Sequence, residues 1–132
     1  MTLTYLWLGL GGAIGTMFRF WLDGIISSRF PKFPVGILTI NVTGSFLIGL
    51  LFTLTGSEGR WLVGPTVRTF LLVGICGGYT TFSSFSMNTL RLAQAGQWLN
   101  AGANVVLSVV LCLVAVWLGY LAGAGLNPKT GG

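Results

Sequence analysis

The side chains able to do chemistry in this chain are few, and most of them gather in one stretch, Gly74-Ile75-Cys76-Gly77-Gly78-Tyr79-Thr80-Thr81-Phe82-Ser83-Ser84-Phe85-Ser86. Glycines that can leave helical geometry expose backbone carbonyls and amides that are otherwise paired. Carbonyls exposed in this way can hold a small hard cation such as Na+. The hydroxyls of Thr80, Thr81, Ser83, Ser84 and Ser86 can donate to an anion. A phenyl ring is positive at its edge, and Phe82 and Phe85, three residues apart, share a face if the chain resumes as a helix. Such rings offer an anion a weak site, as conduction requires, or they simply pack against neighbours. The stretch interrupts an otherwise apolar segment, and lipid tolerates irregular backbone only where protein buries it or a watery cavity lines it.

Other chemistries lack their residues. The sequence has no histidine and two acids, Asp23 and Glu58, so acid–base pairs, zinc sites and carboxylate clusters for Mg2+ have no ligands. The reading is therefore not an enzyme. Cys76 and Cys112 lie in apolar segments and imply no disulfide framework. The net charge of +5 is carried by basic residues scattered singly between segments, which is no signature of nucleic-acid binding.

The chain must place this stretch in a membrane. It is 53% hydrophobic and 7% charged with mean hydropathy +0.84, whereas a soluble domain carries about 25% charge. At about 20 apolar residues per crossing, four segments can be drawn: Leu3–Ile26, Val35–Leu54, Val63–Leu90 and Leu99–Ala122. Short connections with turn formers or charge separate them, a polar tail runs from Asn127 to Gly132, and residues 1–132 form a single four-helix transmembrane domain. The first segment has no signal-peptide features and is expected to stay as a spanning helix.

Polar residues recur within these segments. Arg19 lies four residues before Asp23 on one helical face, which suits an interfacial ion pair with a snorkelling arginine or an electropositive vestibule for an anion. Asn41 brings a carboxamide into the second segment, as interhelical glue or as a donor to an ion. Asn104, Ser108 and Cys112, spaced by four, line one face of the fourth segment, as a hydrated groove or as helix contacts.

Orientation in a membrane follows excess Lys and Arg in short cytoplasmic loops. With four spans, Arg60, Arg68 and Lys129 lie on one side and Arg29, Lys32 and Arg91 on the other. The tally is even, so we expect dual topology: the chain inserts both ways and pairs as an antiparallel homodimer. An inverted second copy also supplies the opposed half that transporters commonly use.

The run Gly77-Gly78-Tyr79-Thr80-Thr81-Phe82-Ser83-Ser84-Phe85-Ser86 resembles the signature of the Fluc family of bacterial fluoride ion channels. The resemblance covers most of the chain, through Gly11-Gly12-Ala13-Ile14-Gly15 with Arg19, Gly36-Ile37-Leu38-Thr39-Ile40-Asn41, and Ala103-Asn104-Val105. It implies an all-α protein of the cell membrane with four transmembrane helices, the third broken near the bilayer midplane. It also implies an antiparallel homodimer with two pores that passively exports fluoride. A structural Na+ at the dimer centre would be held by the backbone carbonyls of Gly77 and Thr80. The pore phenylalanines map onto Phe82 and Phe85 and the pore asparagine onto Asn41. The anion pathway then comprises Arg19, Asn41, Thr81, Phe82, Ser83, Ser84, Phe85, Asn104 and Ser108, with the thiol of Cys112 where the family has a hydroxyl. The rival reading is a small proton-coupled multidrug exporter, which needs a titratable acid at mid-membrane, whereas Asp23 and Glu58 fall near segment ends.

Overall fold

A computed structural model describes residues 1–129, so the last three positions of the polar tail, 130–132, lie outside the described residues. The described chain is helical and contains no strand. Helix α1 spans Thr2–Arg29 and α2 spans Val35–Leu54, the same bounds as the second expected segment. The third segment is made of pieces: α3 (Pro65–Thr69), a π-helical stretch (Phe70–Cys76), α4 (Gly77–Tyr79) and, beyond a break at Thr80 and Thr81, α5 (Phe82–Gln94). Helix α6 closes the chain over Trp98–Leu126.

Three of these segments, α2, Pro65–Gln94 and α6, are long and apolar enough to cross a membrane. At 28 residues α1 reaches about 42 Å, enough for a bilayer core, but its glycines and Arg19 leave it less apolar than the others.

Glycines set how closely the helices approach. Helices α2 and α6 form the most extensive pairing, and a Cβ at Gly49 would meet the Val116 carbonyl, while one at Gly119 would meet the Phe46 carbonyl. The π-helical stretch and α4 lie on α1 in the same manner. A Cβ at Gly78 would come to 2.6 Å from the Gly12 carbonyl oxygen, and one at Gly15 to 2.7 Å from the Tyr79 nitrogen. Without side chains between them the backbones touch, which is how helices associate where lipid gives no hydrophobic drive.

The position of the break differs from the expectation that the Gly77-Gly78 pair would open the helix. Both glycines remain helical, and the extended residues are Thr80 (φ −80°, ψ 154°) and Thr81 (φ −152°, ψ 109°). The physical reason is twofold: β-branched side chains favour extended backbone, and the glycines are needed against α1.

Candidate functional site

The side chain of Asn41 pairs with the extended backbone of the break. Thr81 N–H donates to Asn41 Oδ1 at 2.8 Å, and Asn41 Nδ2 donates to the Thr81 carbonyl at 3.1 Å. The carboxamide thus meets both backbone groups of one extended residue, as a neighbouring strand would. Thr81 then caps the new helix, with Ser84 N–H donating to Thr81 Oγ1 at 3.1 Å, an N-cap contact worth about 1 kcal/mol. The Thr81 hydroxyl itself donates to Ser84 Oγ at 3.0 Å and lies 3.2 Å from Ser83 Oγ.

These bonds redirect two carbonyls. In a continuous helix the Thr81 amide would serve the Gly77 carbonyl, and the Ser84 amide would serve that of Thr80. Both amides are taken by side chains, so the Gly77 and Thr80 carbonyls lose their helical donors. The Gly78 carbonyl is treated differently, since it accepts from Arg19 Nε at 3.1 Å and from Thr16 Oγ1 at 3.4 Å. Arg19 therefore reaches the break rather than Asp23, whose Oδ1 accepts from Ser27 Oγ at 2.8 Å.

Beside the break lies a cavity of about 400 Å3. Asn41, Thr80, Thr81, Phe82, Phe85, Ser108 and Cys112 line it, so the second segment, the break and the fourth segment converge here. The two phenyl rings stand 5.2 Å apart, tilted by 52°. Phe85 is 9% exposed and anchored among Ile37, Ile40 and Tyr79, whereas Phe82 is 78% exposed. One ring is thus fixed in the core and the other stands open at the cavity wall.

Several expected residues lie elsewhere. Ser84 faces a separate polar vestibule of about 1060 Å3, shared with Asp23, Lys32, Asn88 and Arg91. Asn104 is 2% exposed and donates to Thr89 Oγ1 at 3.0 Å, tying α6 to α5 rather than lining the cavity. Ser83 contacts Thr81 but does not line the cavity. Gly44 also lines the cavity and escaped the sequence reading; with the polar Ser45 it follows Asn41 on the same face of α2, a spacing that signals it. A Cβ at Gly44 would collide with the Thr80 methyl, so this glycine makes room for the break. Tyr79, whose hydroxyl lies 2.8 Å from Thr43 Oγ1, completes the tie between α2 and the third segment; no local pattern marks that partner.

Residues 6–120 match the family described as CrcB-like protein, Camphor Resistance (CrcB). A protein of Opitutus terrae named "Fluoride-specific ion channel FluC" is 55% identical over 128 residues, covering 96% of this chain and 97% of its own length. Proteins of the same name are 56% identical in Paramagnetospirillum magneticum and 53% in Rhodospirillum rubrum, each over 126 residues, 95% of this chain and 98% of the relative.

The Asn41 clamp generates a prediction. Asn41→Leu, of similar size, leaves the Thr81 N–H and carbonyl buried without partners, a loss of about 2 kcal/mol or more. Thermal unfolding in detergent should show a clearly lowered midpoint, and an unchanged midpoint would mean that the break does not depend on Asn41.

Proposed function

This chain belongs to the CrcB-like family, and from that premise we propose that it is a fluoride channel: a multi-pass protein of the cell membrane that conducts fluoride passively outward. The observation that carries the reading is the cavity beside the helix break, where amide and hydroxyl groups meet two aromatic rings. Fluoride is compact, tightly hydrated and a strong hydrogen-bond acceptor. To enter, it must exchange water for other donors. Ser108 and the second amide hydrogen of Asn41, which carries two donors of which one is spent on Thr81, can replace part of that shell. The edges of Phe82 and Phe85 add weak positive potential without the grip of a full charge, so the ion can also leave.

The active unit on this reading is an antiparallel homodimer of four-helix chains with two pores. The even distribution of basic residues between the two sides supports dual insertion. A structural Na+ fits the break. The Gly77 and Thr80 carbonyls, deprived of their helical donors by Asn41 and Thr81, are hard oxygen ligands of the kind that such a cation takes. Bound there, Na+ would neutralise the exposed carbonyl dipoles and fix the break. The same carbonyls from an inverted second copy would complete its coordination. A proton-coupled exporter finds no support: Asp23 lies in the last turns of α1, and Glu58 is exposed in the connection after α2.

Two experiments test the proposal. Proteoliposomes carrying the wild-type protein should release fluoride and retain chloride, and Phe82→Ile or Phe85→Ile should slow fluoride release by about tenfold or more, the loss of a contact of about 1.4 kcal/mol at the barrier. Equal chloride release, or normal conduction in both variants, would defeat the mechanism. Reporters of opposite compartment preference fused to the C-terminus should both give signal, and a signal from one side alone would defeat dual topology.

A further inference from the structure

A third cavity, of about 650 Å3, lies at the far end of α2 and is lined by Phe52, Thr55, Ser57, Arg68 and Thr69 among others. Arg68 is the charged group in it. Its guanidinium carbon stands 4.7 Å from the centre of the Phe52 ring. Its Nε is buried and has no hydrogen-bond partner among the described residues. Among the described residues no carboxylate lines this cavity. A guanidinium held by a ring face, with a buried N–H unmet and no acid in the described cavity wall, is a cation without a counterion in that wall.

Its position ties it to the conducting cavity. On α2, Asn41, Ser45 and Ile48 line the inner cavity, and Phe52 and Thr55 line the outer one. These positions fall on one helical face, and Ile48 and Phe52 are separated by one turn, about 6 Å along the axis. On the third segment Cys76 lines the inner cavity and Thr69 the outer one, at the two ends of the π-helical stretch.

We propose that this pocket is a second anion-binding site, in which Arg68, steadied by Phe52, gathers a small inorganic anion at the mouth of the path that leads over α2 to the inner cavity. The inference rests on the channel reading and deepens it. A full charge at the mouth raises the local concentration of anions, and the weaker dipoles inside then pass them on. Selectivity stays with the inner cavity, because a guanidinium at an open mouth attracts fluoride and chloride alike.

The test is fluoride efflux from proteoliposomes of neutral lipid across a range of fluoride concentrations, for wild type, Arg68→Lys, Arg68→Gln and Ser57→Glu. Ser57 is exposed on the cavity wall, so a glutamate there supplies the missing counterion without disturbing the core. At low fluoride, Arg68→Gln and Ser57→Glu should each slow efflux by about threefold to tenfold, the scale of losing steering by one charge. The deficit should shrink at high fluoride, the preference over chloride should be unchanged, and Arg68→Lys should restore most of the rate. Two results overturn the site: Arg68→Lys as slow as Arg68→Gln, which makes Arg68 a packing residue, or Ser57→Glu as fast as wild type at low fluoride. The latter is also the outcome if Arg68 grips a lipid phosphate instead. If Arg68→Gln does not fold, the other two variants still decide. Absence of fluoride release by the wild type would defeat the channel reading itself, before any variant is compared.

Discussion

A helix cannot be broken inside a membrane unless something replaces the hydrogen bonds it gives up, and here the replacement is the carboxamide of Asn41. Its two bonds to Thr81 meet the backbone groups that a continuous helix would have paired. In hydrocarbon each such group left unmet costs several kcal/mol. The other features of the site follow from that exchange. Because the Thr81 amide is spent on Asn41, the Gly77 carbonyl loses its helical donor; because Thr81 caps α5, the carbonyl of Thr80 loses its donor as well. The restart of the helix at Phe82 then sets both phenyl rings beside the cavity.

The break is held from two sides. Asn41 reaches it from α2, and Arg19 with Thr16 reaches the Gly78 carbonyl from α1. Side chains of this length can do so because the glycines keep α1 and the third segment in backbone contact. The division among carbonyls has a consequence for charge. Gly78 oxygen accepts from a guanidinium, whereas the Gly77 and Thr80 oxygens have lost their helical donors, so the carbonyls at the break differ in their partners.

Much of this was legible in the sequence because it depends on local pattern. Apolar length gave the bounds of α2, the Thr/Ser run marked the interruption, and spacing put Phe82 beside Phe85 and Ser108 beside Cys112. What was not legible depends on long-range partners. Gly77-Gly78 reads as the hinge because glycine is the usual way to leave a helix, yet the pair stays helical, and its lack of side chains serves the approach to α1. Arg19 and Asp23 read as a pair at helical spacing, but the arginine finds a carbonyl 59 positions away in the chain. Asn104 reads as part of a polar stripe along with Ser108, although its partner is Thr89 on the adjacent helix. A carboxamide in an apolar segment announces that it has a partner and does not say which.

The central claim is that the cavity beside the break is the path of the ion, and the chain carries a native probe of it. Cys112 lines the cavity and is partly exposed, while Cys76 is fully buried. Proteoliposomes can be treated with a small methanethiosulfonate reagent and assayed for fluoride release, with Cys112 modification followed by mass. Modified wild-type protein should lose most of its fluoride flux, and Cys112→Ser should be indifferent to the reagent. Full modification of Cys112 with undiminished flux would place the path elsewhere and contradict the account.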